Sequence, residues 1–294
     1  MTSTVPDQHS HSRRSFGARL ADAMEDHGPL CVGIDPHPSL LEAWGLTDSA
    51  AGLRDFALRT IDAVGGRVAA IKPQSAFFER HGSAGIAVLE ETLAALRDVG
   101  TLSVLDVKRG DIGSTMAGYA QAYLSDGAPL AADSITVSPY LGYGSLAPAL
   151  DLAEAGGRGV FVLALTSNPE GTTVQHAVSG ERAVAAEVVE GVTASNAAAR
   201  GEGGLGSIGL VVGATVGEAV SRLGIDLLRA NGPLLAPGVG AQGAGATELE
   251  SVFGPARRHV LASTSRGVLK AGPSIEALRA AALAATHEAA AALR

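Results

Sequence analysis

Eight short apolar runs, separated in most cases by segments of helical periodicity, constrain this chain more than any other feature. The runs are Leu30 to Asp35, Val68 to Pro73, Thr101 to Lys108, Ser134 to Ser138, Gly159 to Ser167, Gly209 to Ala214, Leu234 to Val239 and His259 to Arg266. Most are continuously apolar rather than alternating, the pattern of strands buried on both faces of a parallel sheet. Helical segments are predicted at Leu53 to Val64, Gly85 to Val99, Ile112 to Leu124, Ser145 to Ala155, Glu181 to Ala199, Gly217 to Leu223 and Ser274 to Leu293; most carry apolar residues three and four apart. Eight such strands predict closure into a (β/α)8 TIM barrel. Ahead of the first strand, Phe16, Leu20 and Met24 share one side of an extra N-terminal helix that would plug the barrel's bottom. Ser274 reads as the N-cap of the last, Ala-rich helix, with Glu276 in its first turn to suit the dipole. The stretch Gly201 to Gly206 reads as a flexible loop between barrel units.

A length of 294 residues fits one such barrel, so residues 15–294 are expected to form a single catalytic domain behind a disordered polar tail at 1–14. His9 and His11 fall in that tail and are read as part of it rather than as a metal site. Hydrophobic residues make up 46% of the chain and charged ones 18%, enough for a large core in a soluble protein. The formal net charge of −8 argues against general affinity for nucleic acid or an anionic membrane, while leaving room for a local cationic pocket that takes an anionic small molecule. Cys31 is the only cysteine, which excludes an intrachain disulfide and a cysteine-based metal cluster. With no apolar export segment at the start and no apolar run approaching ~18 residues, the expected location is the cytoplasm.

Charged residues gather at the C-terminal ends of the predicted strands. Asp35 ends the first, Lys72 lies near the end of the second, Asp106 and Lys108 close the third, and Arg266 closes the eighth. In a barrel these positions ring one mouth, where active sites of this fold are built. Two anions and two cations from the first three strands can form a closed, nearly neutral network there. The third strand is the most informative, because Asp106-Val-Lys108-Arg109-Gly110-Asp111 packs two carboxylates and an ammonium into six residues. The two-residue period of a strand sends Leu102, Val104, Asp106 and Lys108 to one face, and Asp111 falls on the turn that opens the next helix. An ordinary surface ion pair at a strand end is the plain alternative.

The loops after strands seven and eight, Pro237-Gly238-Val239-Gly240-Ala241-Gln242-Gly243 and Ser263-Thr264-Ser265-Arg266-Gly267, are polar and bear glycines. Glycines let backbone amides approach an anion, and these loops are the usual phosphate site of the fold. Arg266 adds a forked, permanently charged donor suited to phosphate oxygens. The fifth strand ends in Leu165-Thr166-Ser167-Asn168-Pro169, whose hydroxyl and amide groups suit a planar heterocycle. No histidine sits at a strand end to activate a serine nucleophile. His37 reads as a loop histidine without a partner, and Tyr140 and Tyr143 as lining either a pocket or a subunit contact.

Taken together, Asp106-x-Lys108-x-x-Asp111-Ile112, Gly33-Ile34-Asp35-Pro36, Lys72-Pro73-Gln74, Thr166-Ser167-Asn168-Pro169, the Pro237 to Gly243 loop and Arg266 resemble the orotidine 5′-phosphate decarboxylase family, in its longer bacterial branch, over nearly the whole barrel. By that resemblance the substrate is orotidine 5′-phosphate, the products are UMP and CO2 in de novo pyrimidine biosynthesis, and neither metal nor organic cofactor takes part. Lys108 is then the proton donor, with Asp106 beside the substrate carboxylate and Lys72 and Asp35 holding the ribose and the network. The resemblance implies a homodimer with shared sites, in which Asp111, Ile112 and Thr115 reach into the neighbouring subunit's site. It implies that Thr166 or Ser167 contacts the pyrimidine, that Gln242 and Arg266 bind phosphate, and that Pro237 and Gly240 belong to the loop closing over it. Two other readings stand beside this one: a magnesium-dependent sugar-phosphate lyase or synthase built on the same Asp-x-Lys-x-x-Asp frame, and a barrel that senses a phosphorylated nucleotide without turning it over.

Overall fold

The computed structural model describes residues 13–239 and 244–294. Eight parallel strands close on themselves in chain order: β1 (Leu30–Ile34), β2 (Ala70–Pro73), β3 (Leu102–Arg109), β4 (Ser134–Val137), β5 (Gly159–Leu165), β6 (Ile208–Val212), β7 (Leu234–Pro237) and β8 (Val260–Thr264). β8 returns to β1 with Leu30 opposite Ala262, which completes the (β/α)8 barrel. Every residue of β1, β2, β4 and β6 is buried, which accounts for their unbroken apolar sequences: one face meets the helices and the other the barrel axis.

Inside the barrel, Phe16, Leu20, Cys31, Ala70, Val104, Phe161, Val211, Leu235 and Leu261 form one apolar cluster. Its lower end comes from helix α1 (Phe16–His27), capped by Ser15, whose hydroxyl accepts from the Ala18 amide at 3.3 Å. Phe16 meets Phe161 edge to face at 5.9 Å, and Gly159 is a glycine because the Phe16 ring fills the space a side chain would need. Arg19 ties the helix to the barrel by donating to Asp133 at 2.6 Å and to the Gly157 carbonyl at 2.9 Å. The bottom is therefore plugged, as the spacing of Phe16, Leu20 and Met24 predicts.

The last helix, Ile275–Ala292, begins at Ser274, whose hydroxyl accepts from the Ala277 amide. Three segments depart from the sequence expectation. Glu181 to Ala199 is not one helix: a hairpin pairs Val178–Ser179 with Arg182–Ala183, a helix runs over Val184–Ser195, and a second short one over Ala197–Gly201. The break falls at Asn196, which is buried and donates through Nδ2 to the carbonyls of Ile208 at 2.7 Å and Ala230 at 2.9 Å. Those bonds to the start of β6 and to the helix end at Ala230 outweigh continuation of the helix. Gly217 to Leu223 shortens to one turn at Ala219–Arg222, and a helix at Ala246–Phe253, absent from the sequence expectation, fills the β7 to β8 crossover.

Candidate active site

The C-terminal mouth of the barrel holds four charged side chains in alternating order. Lys72 Nζ on β2 lies 3.9 Å from Asp35 Oδ1, just past β1, and 3.1 Å from Asp106 Oδ2 on β3; Lys108 Nζ lies 2.6 Å from Asp106 Oδ1. The sequence expectation of a paired network at this rim matches this geometry. Lys72 and Asp106 are 6% and 7% exposed, so their charges persist only because they are paired. Burial works against ionisation of Asp106, yet the ammonium groups of Lys72 and Lys108, with the bonds from Lys108 and Thr136, hold its carboxyl down to about 2. Burial likewise opposes the charge on Lys72, but Asp35 and Asp106 prevail and raise its pKa. Beneath them, burial drives the Cys31 thiol up to about 12, which makes it a packing group and no nucleophile.

The local fold of β3 aims these groups. Leu102 and Val104 enter the interior cluster, and two residues later Asp106 takes the same side, as strand alternation requires. The register against β4 then shifts between Leu105 and Arg109. At that irregularity Lys108 adopts φ +45°, a left-handed conformation costly for any residue with a side chain. Its amide donates to the Thr136 hydroxyl at 3.0 Å, and that hydroxyl donates to Asp106 Oδ1 at 2.7 Å. Strain of this kind is retained where surrounding contacts impose it, typically at functional sites.

The network faces a cavity of about 320 Å³. Leu163, Val211 and Leu235 give it an apolar floor, Lys72, Asp106 and Lys108 stand on one wall, and Pro237, Gly238 and Ser263 to Arg266 form another. Ser265 donates to Asp35 Oδ2 at 2.6 Å, whereas Asp35 Oδ1 is buried with no hydrogen-bond partner among the described residues. Arg266 is exposed on the rim and has no carboxylate within 4.0 Å among those residues.

Of the residues singled out in the sequence, the cavity gathers Asp35, Lys72, Asp106, Lys108, Thr166, Pro237 and Arg266. Ser167 is exposed and outside the lining, whereas Thr166 is half-buried and donates to Asn168 Oδ1 at 2.6 Å while accepting from Gln175 at 2.7 Å. Asp111, Ile112 and Thr115 do not line the cavity of their own chain; Ile112 is 62% exposed. Gly240 and Gln242, like His9 and His11, lie outside the described residues. Tyr143 bonds Ser195 through its hydroxyl at 2.7 Å, and Tyr140 is exposed; neither lines the cavity. Among the polar lining residues, Gln74, which accepts from Lys72 Nζ at 3.2 Å, His37, packed on Phe77 at 4.4 Å, and Thr136 have no site role in the sequence analysis. Thr136 had a signal in strand alternation, since Ser134-Ile135-Thr136-Val137 places a hydroxyl on the side opposite Ile135.

Residues 28–281 match the family model described as "Orotidine 5'-phosphate decarboxylase / HUMPS family". The chain is 60% identical over 269 residues to the orotidine 5′-phosphate decarboxylase of Salinispora arenicola, covering 91% of this chain and 94% of that one, and equally so to that of Streptomyces coelicolor. A crystal structure from Streptomyces avermitilis, provisionally assigned the same enzyme, superposes with a TM-score of 0.92 at 57% identity and 99% coverage of both chains. The Leishmania donovani OMP decarboxylase structure matches with a TM-score of 0.75 at 32% identity, over 95% of this chain and 98% of that one. By sequence and by fold, this chain belongs to the orotidine 5′-phosphate decarboxylase / HUMPS family.

Proposed function

We propose that this protein decarboxylates orotidine 5′-phosphate to UMP and CO2, as a step of pyrimidine nucleotide synthesis in the cytoplasm, without a metal or organic cofactor. The observation that carries the reading is the Asp35–Lys72–Asp106–Lys108 chain of alternating charges beside an apolar floor. When the bond from C6 to the carboxylate breaks, the electron pair stays on C6 in the plane of the ring, where the π system cannot spread it. A fixed ammonium is what such a carbanion needs. Lys108 Nζ, anchored at 2.6 Å to Asp106 but with its side chain 47% exposed toward the mouth, stabilises that charge and then transfers its proton to C6. The resulting neutral amine regains a proton from water. Asp106, ionised through its own pairing, keeps the ammonium oriented, and its negative charge disfavours the bound carboxylate until CO2 leaves.

Asp35, with one buried oxygen lacking a hydrogen-bond partner among the described residues, suits a ribose hydroxyl, and Arg266, on the rim just past β8, suits the phosphate. Binding energy gained at the phosphate can hold the charged network in its reactive arrangement although it contributes no chemistry. We further infer that a second copy of the chain completes the site. Ile112, Tyr140 and Leu141 are 62%, 77% and 51% exposed on neighbouring loops, where Gly110 backs against the Ser138 carbonyl. A partner covering that patch would bring Asp111 toward Lys108 of the other subunit.

The test is incubation of the purified protein with orotidine 5′-phosphate and excess chelator, following the change in ring absorbance as the carboxylate is lost. Turnover that persists supports the reading. Turnover that stops with the chelator and returns with magnesium favours a metal-dependent lyase, and tight binding without turnover favours a sensor.

A further inference from the structure

We propose that Thr136 is a positioning residue for the decarboxylation, setting Asp106 and the backbone of Lys108 through one hydroxyl; this rests on the function proposed above. Thr136 stands on β4, 1% exposed, with Oγ1 2.7 Å from Asp106 Oδ1 and 3.0 Å from the Lys108 amide nitrogen. A hydroxyl carries one hydrogen and two lone pairs. The amide N–H of Lys108 has to donate, so Thr136 accepts there and its single hydrogen goes to the carboxylate. Both ends of the Asp106-Val107-Lys108 segment are thus held by one atom of the neighbouring strand.

This contact replaces something the sheet has lost. The β3 to β4 pairing slips between Leu105 and Arg109, and the Lys108 amide bonds the Thr136 side chain at the slip. The Lys108 amide is partly buried, where lack of a partner is costly, and φ +45° at Lys108 is costly as well. The Thr136 hydroxyl satisfies the amide in that bent conformation. On the carboxylate side, Asp106 Oδ1 receives Thr136 and the Lys108 ammonium, while Oδ2 receives Lys72. The plane of the carboxylate, and with it the ammonium, is fixed from three directions. Valine has the shape of threonine with a methyl in place of the hydroxyl, so it preserves packing and removes both bonds.

The experiment compares Thr136→Val and Thr136→Ser with the wild type. For Thr136→Val, kcat falls about 100-fold, the loss expected for displacing a reacting group by about an ångström, with KM within about threefold. Thr136→Ser restores kcat to within about fivefold, since it keeps the hydroxyl. Amide hydrogen exchange supplies a readout independent of turnover: the Lys108 N–H is protected in the wild type and in Thr136→Ser, and exchanges faster in Thr136→Val. A Thr136→Val protein with kcat within about threefold of wild type overturns the inference, as do equal losses in the valine and serine variants, which would assign the effect to packing. If the wild type does not act on orotidine 5′-phosphate, the proposed function fails by itself, and the exchange of the Lys108 amide still decides whether Thr136 holds the bend.

Discussion

Replacing Lys72 with methionine removes the ammonium at the centre of the network and keeps an unbranched chain of similar length. Lys72 is 6% exposed and lies 3.1 Å from Asp106 and 3.9 Å from Asp35, so its loss leaves Asp106 with Lys108 alone and Asp35 with no cation within 4.0 Å among the described residues. Deleting one partner of a buried pair costs about 3–5 kcal/mol. The depression of Asp106 from 3.8 to about 2 gives a second figure: at about 1.4 kcal/mol per tenfold change in ionisation, the cations and hydrogen bonds around it contribute roughly 2–3 kcal/mol beyond the cost of burial. A carboxylate held below its unfolded value stabilises the fold at every pH above that value and loses the contribution as pH falls toward 2. With Lys72 gone, one of the two cations opposing burial is lost and the Asp106 carboxyl rises, so the penalty is largest near neutrality and fades as the group protonates. For 294 residues, at about 2.1 cal/mol/K per residue, a loss of 3–5 kcal/mol lowers Tm by roughly 5–8 °C. Thermal unfolding followed by circular dichroism at about pH 7.5 and about pH 4.5 measures both effects. A variant as stable as wild type at the higher pH, or a deficit that grows on acidification, refutes the reasoning.

Arg266→Ala should raise KM for orotidine 5′-phosphate roughly 10- to 100-fold with a smaller change in kcat, since it removes a charge-assisted bond remote from the reacting carbon; steady-state kinetics checks this. If two chains share their sites as proposed, mixing Lys108→Ala and Asp111→Asn subunits, each inactive alone, should restore about a quarter of wild-type activity, because half the dimers would be mixed and one of their two sites intact. No recovery after unfolding and refolding the mixture would mean that Asp111 serves its own chain or neither. Phe16→Ala should cost about 3–5 kcal/mol, measured by urea unfolding, since Phe16 is fully buried against Phe161.

Much of this architecture is written locally in the sequence. The eight runs are legible because strands buried on both faces leave no alternation to interpret, and each places its strand to within two residues at either edge. The overruns are informative. Asp35, Thr166 and Arg266 follow their strands rather than belong to them, and leaving the ladder is what turns them toward the mouth. Asp106 and Lys108 were legible as a same-face pair from alternation alone. What stayed hidden depends on distant partners. Asn196 breaks its helix for carbonyls at Ile208 and Ala230, and Thr136 acquires meaning only when β4 is set beside the slipped end of β3. The left-handed Lys108 is another such case, because nothing in Asp-Val-Lys-Arg-Gly-Asp demands positive φ at a lysine. Ser167 and Thr166 are equivalent in sequence as adjacent hydroxyls, and only the fold separates them, by turning Thr166 into the cavity lining and bonding it to Asn168 and Gln175.

The central claim, that the ammonium of Lys108 both stabilises the carbanion and delivers the proton, is tested most directly by Lys108→Ala. Release of CO2 from orotidine 5′-phosphate and calorimetric binding of UMP are measured on the same preparation. The account predicts a fall in kcat of at least about 1000-fold, the combined scale of one electrostatic and one proton-transfer contribution, with UMP still bound. A variant that still releases CO2 within about tenfold of the wild-type rate would contradict it.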